Sequence, residues 1–394
     1  MQFYHVRAAM STMIFFAAKE NAADIIGRRL RPASHPSLKK HCNFRISFCL
    51  YFDFTSEYSF FYMLNVYFPC LKICGTFLMK DPAVYIYKER TMKKCAVIDI
   101  GSNTIRLSAF QYEGDNIQPL MNRKMMAGLA SYVKDGALTD EGIHMTCRTL
   151  ETYKDMLKNL DISDYHVFAT ASLRNVSNTY DVLKEIENET GIRVAVISGE
   201  DEGMLSLRGA IESVELSSGL LVDLGGGSTE IVPFKNKRAK QVCSLKAGSL
   251  NLYKKFVEDF LPTKEERNNI SSYYESLIEE GGVSIPKSEV ICGVGGTFRA
   301  IAKLIDYVTK RPEGTCEFTD REIDDLYKFL KKGDREAKDL LLKVCPDRVH
   351  TVIPGIIAVR VIMKKALCRE VKVSRTGVRE GYLFSRVLHR DIRN

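Results

Sequence analysis

From Met92 onward, short apolar runs alternate with stretches of helical period, which predicts an α/β protein built on a largely parallel sheet. Lys94–Asp99 and Ile105–Gln111 read as strands on either side of a short polar loop. Gly136–Thr139 leads into an amphipathic helix reaching about Leu160, with Thr139 and Asp140 as cap residues. Tyr165–Ala169 reads as a strand, Tyr180–Thr190 as a helix and Arg193–Ile197 as a strand; Ser198 then opens a helix to about Val214. A second half starts at Gly219. In it Leu220–Val222, Lys240–Leu245 and Glu289–Gly293 read as strands, with helices from Ser249, over Thr263–Glu279 and from Thr297. The remainder from Asp320 is mostly helical, with Pro354 starting one helix and a strand at Glu370–Ser374.

Residues 1–91 are different: rich in Phe, Tyr and Cys, with no clear period. Tyr58–Met79 is long enough to span a bilayer, but it contains Asn65, Pro69 and Lys72. The opening MQFYHVRAAM lacks the charged and apolar regions of a secretory signal. The preferred reading is that 1–91 is an atypical extension outside the working protein, with translation starting at Met92. Length then allows two domains, 92–217 and 218–394, hinged near Ser217-Ser218, with the last helix a candidate to return to the first.

Composition narrows the partners. The net charge of +8 suits an anionic substrate without calling for nucleic acid, and no membrane partner is expected. Eleven scattered Cys with no CxxC pair, and seven His with no HExxH, give no zinc pattern; the thiols read as reduced, in the cytoplasm.

The chemistry concentrates in Leu220–Ile231, LLVDLGGGSTEI. A buried strand delivers Asp223 to the edge of a glycine turn, where backbone N–H groups can converge on an anion. A carboxylate beside such a nest suits a phosphate partly neutralised by a cation such as Mg²⁺. Alone, this stretch also fits an ordinary tight hairpin. Its echo in Ala96–Leu107, AVIDIGSNTIRL, favours the anion reading: Asp99 and Asp223 lie 124 positions apart, suggesting two phosphate loops facing across a cleft.

Other residues are weighed against plainer roles. Glu200, Asp201 and Glu202 in a helical first turn fit dipole compensation, or a general base aimed at water. Arg174 could clamp phosphate or form a surface ion pair. Gly293–Thr297 is a third strand–Gly–helix junction for an anion. It is no dinucleotide fingerprint, since Phe298 holds the sixth position, and no Walker A sequence occurs. The basic C-terminus, with Arg375, Arg379 and Arg386, fits a solvated helix face or part of an anion track.

Together these motifs resemble the exopolyphosphatase/guanosine pentaphosphate phosphohydrolase (Ppx/GppA) family. The likeness covers roughly Met92–Leu388. It rests on Asp99, Gly101, Ser102 and Asn103; Thr170 and Arg174; Ile197, Ser198, Gly199, Asp201 and Glu202; Asp223 with Gly225–Glu230; and Gly377–Gly381. Gly203 and Met204 depart from the usual residues, and Met126–Ser131 replaces an expected R-L-G-E-G segment. The likeness is to short members without a helical HD-type C-terminal region.

The resemblance implies an α/β protein of two ribonuclease-H-like (actin-like ATPase superfamily) domains around a central cleft. It implies hydrolysis of a terminal phosphoanhydride in polyphosphate or guanosine pentaphosphate (pppGpp), with a homodimer as one candidate assembly. Glu202 would activate water and Arg174 would neutralise charge. Gly101, Ser102, Asn103, Thr104, Gly225, Gly226, Gly227, Ser228, Gly295 and Thr297 would hold phosphate. Asp99, Asp223 and Glu230 would position Mg²⁺ or Mn²⁺. A small-molecule kinase of the same superfamily and a nucleotide-sensing actin-like scaffold are the competing readings.

Overall fold

The computed structural model describes residues 92–281 and 285–390; the stretch Tyr58–Met79 lies outside them. Among the described residues no helix is long and apolar enough to cross a membrane.

The first half supplies Lys93–Ile100 (β1), Ile105–Glu113 (β2), Asn116–Met125 (β3), a small hairpin of Val133–Lys134 (β4) and Ala137–Leu138 (β5), then Tyr165–Ala169 (β6) and Ala195–Val196 (β7). Its main sheet runs β3-β2-β1-β6-β7. β1, β2 and β3 pair antiparallel, whereas β6 and β7 continue parallel to β1. The second half supplies Ser218–Leu224 (β8), Thr229–Lys235 (β9), Arg238–Ala239 (β10), Cys243–Leu245 (β11), Val290–Val294 (β12), Glu317–Thr319 (β13) and Glu370–Val373 (β14). That sheet runs β10-β9-β8-β12-β14-β13. Again a hairpin lies on one side of the first strand and parallel partners on the other. This repeated plan is the two-domain ribonuclease-H-like fold.

Helices fill the layers. In the first half they are Asp140–Asn159 (α1), Ala171–Arg174 (α2), Thr179–Thr190 (α3) and Gly199–Ala210 (α4). In the second they are Ser249–Phe256 (α5), Lys264–Glu280 (α6), Gly296–Thr309 (α7), Asp320–Leu330 (α8), Arg335–Val344 (α9), Val349–Ala366 (α10) and Val378–Tyr382 (α11). α1 and α3 bury an apolar stripe (Leu150, Tyr153, Val182, Ile186) on one face of the first sheet. α6, α7, α8 and α10 do the same for the second.

The other two faces are covered by exchange. α4, which belongs in sequence to the first half, lays Leu207 and Ala210 on Leu221, Val232 and Cys292 of the second sheet. α11 and the π-turn Leu383–Val387 bring Leu383 and Tyr382 back onto Cys95, Val97 and Phe168 of the first sheet. Where the two helices cross, backbone meets backbone. A Cβ on Gly209 would sit 2.0 Å from the Gly377 carbonyl oxygen, and one on Gly381 1.8 Å from that of Leu205.

One sequence expectation needs correction, and one strand was not anticipated. Pro354 does not start a helix; it lies inside α10, whose residues from Val349 are buried almost throughout. Burial of that helix outweighs the one backbone hydrogen bond a proline removes. Asn116–Met125 forms a strand that the pattern does not announce, because this edge strand is largely exposed on both faces and shows no alternation.

Candidate active site

The two halves enclose a cavity of about 140 Å³ at the ends of β1 and β8. Each contributes one tight hairpin loop, closed the same way: the Gly101 N–H donates to the Thr104 carbonyl, and the Gly225 N–H to that of Ser228, both at 3.0 Å. The loop carbonyls are tied outward. Ser102 and Asn103 accept from the Ala130 and Gly128 N–H groups; Gly225 and Gly226 accept from Ser249, Leu250 and Asn251. What such loops retain for a ligand is N–H, the arrangement of an anion nest. The loops meet closely, since a Cβ on Gly227 would fall 2.3 Å from Ser102 Oγ. Asp99, Gly101, Ser102, Asn103 and Thr104 from one loop, and Asp223 with Gly225–Ser228 from the other, all line the cavity.

Glu202 lines it as well. Ser198 caps α4 by accepting from the Asp201 N–H, which fixes the first turn. Of the three acids in that turn only Glu202 is buried, at 8% exposure, so the helix uses it for something other than dipole compensation. Arg174 Nη1 donates to Glu202 Oε2 at 2.8 Å and to the Ile197 carbonyl at 3.1 Å. Burial is the largest influence on Glu202 and holds its carboxyl up at about 7; Arg174 pulls it down, while Asp223 and Asp99 push it up. A carboxylate titrating near neutrality, in a cleft, has the properties of a general base.

Asp99 is also pushed up, to about 6, chiefly by burial. Its Oδ1 is buried without a hydrogen-bond partner, an orphaned acceptor that suits a cation or its water. Asp223 accepts from Ser206 Oγ at 2.6 Å and is raised by burial. Among the described residues no three acidic, His or Cys side chains gather closely enough to hold a metal ion by themselves. A donor set of one or two carboxylates completed by water and substrate oxygens fits Mg²⁺.

Three sequence-predicted residues stand off the cavity wall. Glu230, 1% exposed, lies behind Glu202 and accepts from Ser244 Oγ at 2.8 Å, so Asp99, Asp223 and Glu230 do not form one direct ligand set. Burial and the Glu202 and Asp223 carboxylates raise Glu230 well above the usual carboxylate range. Arg174 is likewise in the layer behind, because the T-x-x-x-R segment winds into α2 and turns its guanidinium onto Glu202. Thr297 is buried in α7 and donates to Ser249 Oγ at 3.3 Å; Gly295 and Gly296 form the wall instead.

Sequence reasoning missed a set of arginines. Arg106, Arg299 and Arg348 line the cavity, together with Arg375, Arg379 and Glu380 from the basic C-terminus. Burial first, and then the Arg379 and Arg299 charges, lower Arg106 to about 10. Arg299 and Arg348 are also lowered, again first by burial. Gly296 admits the Arg348 guanidinium to the start of α7, where a Cβ would meet its Nη2 at 1.9 Å. Half-buried like charges that depress one another's pKa call for an anion among them. The substituted segment Met126–Ser131 does not line the cavity; its Gly128 and Ala130 amides brace the first loop from behind.

Two ribonuclease-H-like lobes close opposed nests and an arginine wall on one small cavity, an arrangement suited to phosphoryl groups. A family model described as "Ppx/GppA phosphatase family" matches residues 109–390, and the chain belongs to that family. Exopolyphosphatase 1 of Mycobacterium tuberculosis is 22% identical over 303 residues, 75% of this chain and 88% of that protein. Guanosine-5'-triphosphate,3'-diphosphate pyrophosphatase of Pseudoalteromonas translucida is 26% identical, over 74% of this chain and 58% of that one. Among solved structures, the Ppx/GppA family member from Aquifex aeolicus superposes with a TM-score of 0.64 at 28% identity, covering 76% of this chain and 98% of its own. An exopolyphosphatase from Cytophaga hutchinsonii shares the fold with a TM-score of 0.69 at 22% identity, covering 76% and 99%.

Proposed function

We propose that this chain is a cytoplasmic phosphoanhydride hydrolase that releases terminal orthophosphate from inorganic polyphosphate, from pppGpp, or from both. The observation that carries this reading is Glu202, a buried carboxylate near neutral pKa on the wall of a cavity built from two anion nests. The names of the relatives agree with it.

The terminal phosphoryl group would rest against the N–H groups of Gly101–Thr104 and Gly225–Ser228. Its remaining charge would be met by Arg106, Arg299 and Arg348. Water, deprotonated by Glu202, attacks the terminal phosphorus; the anhydride P–O bond breaks, and the shortened chain leaves with the bond's electron pair. Such a reaction asks the protein mainly for positioning and charge stabilisation. Asp99 and Asp223 would hold Mg²⁺ or its waters, and the ion, when bound, neutralises phosphate charge. Arg174 would hold the Glu202 carboxylate in place.

The test is orthophosphate release by the full chain with Mg²⁺, from polyphosphates of several lengths and from pppGpp in parallel. Release from either supports the reading. No release from any of them, with the protein folded, overturns it.

A further inference from the structure

A second concavity lies away from the cleft, in the second lobe between α6, α8 and α10, with a volume of about 1,020 Å³. α10 connects the two places. Thr351 near its start lines the catalytic cavity, while Arg360 and Lys364 near its end line the groove. At 1.5 Å of rise per residue, Lys364 is about 20 Å along the helix from Thr351. The floor is apolar, formed by Ile323, Ile357 and Val361.

The rim is cationic. Lys264, Lys331, Lys364 and Arg369 line it, and none of the four makes an ion pair or a side-chain hydrogen bond among the described residues. Arg267 and Lys332 add two more charges. Three carboxylates share the wall, but Asp324 is committed to Arg360 at 2.6 Å, leaving Glu275 and Asp320 against the rest. A ring of uncompensated cations around an apolar floor is a standing repulsion that a bound polyanion relieves.

The kind of cation indicates the kind of anion. In the cleft the positive groups are arginines, most of them half-buried, whose planar forks suit a single phosphoryl group in one orientation. In the groove they are mostly exposed lysines, mobile point charges spread around a rim. Such a set suits a ligand with repeated charge and no fixed shape.

We propose that this groove is a second binding site for an oligophosphate chain, separate from the site of hydrolysis. The inference rests on the groove and not on turnover, so it can fail or succeed independently of the proposed reaction.

The experiment uses the full chain carrying Lys331→Glu and Lys364→Glu, with Lys331→Gln and Lys364→Gln as the milder pair. Binding of end-labelled long polyphosphate, of tripolyphosphate and of pppGpp is measured at two salt concentrations, with Glu202→Gln as the common background to prevent turnover. In that background long polyphosphate should show a second, salt-sensitive binding phase that weakens about tenfold or more on charge reversal. The Gln pair should weaken it less, and tripolyphosphate binding in the cleft should stay unchanged. Loss confined to pppGpp would instead make the occupant a nucleotide's phosphate chain, still as proposed. Unchanged binding of both long polyphosphate and pppGpp in the Glu pair overturns the proposal, even if the wild-type chain releases phosphate normally. Absence of phosphate release with a normal second phase would sink the hydrolase reading and leave the groove standing.

Discussion

The two hairpin loops share a backbone and differ in what faces each aspartate. Cross-strand register sets Asp99 opposite Arg106 in the first sheet, and Asp223 opposite Glu230 in the second. The loop-closing hydrogen bond is the same length in both. In the first lobe the carboxylate therefore has a cation as its neighbour, and that cation joins the arginine wall. In the second it has another acid, buried behind Glu202 and satisfied by serine hydroxyls. A repeated fold has supplied a repeated geometry, while the facing residue has divided the labour. Across from the first aspartate stands a positive charge on the cavity wall, and across from the second a further carboxylate one layer behind Glu202.

The largest expected effect is from Glu202→Gln. It should lower kcat for phosphate release by roughly 10²–10⁴-fold while circular dichroism and substrate binding stay intact. Retained turnover would remove Glu202 from the role of base. Next, Arg106→Gln should lower kcat/KM by about 10²–10³-fold, as loss of a fixed charge at the reacting phosphate does. Glu230→Gln should cost less, about tenfold, and show mainly as a raised Mg²⁺ requirement, because this residue stands one layer back. Equal losses from those two substitutions would erase the division between the loops.

The pH profile sharpens the same comparison. A base must be ionised to act, so kcat/KM should rise with pH through about 7 and level off above it, following Glu202. Arg174 favours the ionised form, so Arg174→Gln should move that acidic limb to higher pH. A limb that stays where it was would assign the titration to another group. Gly381→Ala places a Cβ against the Leu205 carbonyl and should destabilise the fold by about 1–3 kcal/mol, read as a lower Tm. Smallest is Lys124→Ala. It breaks an exposed bridge from the first lobe to Asp347 beside the cleft, and should change stability by less than about 1 kcal/mol.

The strands that carry the loops were legible because each is a short apolar run ending in Asp and Gly, and both loops and Glu202 line the cavity. The arginine wall was not. Arg106, Arg299 and Arg348 come from three separate elements, and nothing local distinguishes them among 57 Lys and Arg residues. One signal was available: a hairpin closing between Gly101 and Thr104 places Arg106 across from Asp99 by counting alone. Arg174 and Thr297 were expected at the phosphate and instead stand behind the cavity wall. Both lie on helical turns, and which way a turn presents its side chain depends on packing partners far along the chain.

The exchanged helices set a timetable for synthesis. Cys95, Val97 and Phe168 leave the ribosome well before the Leu383 that covers them. Until then the first sheet carries a bare apolar face, so completion of its core waits on that distant segment. A ribosome that stalls before Leu383 leaves that face exposed and prone to aggregate, however complete the catalytic loops already are.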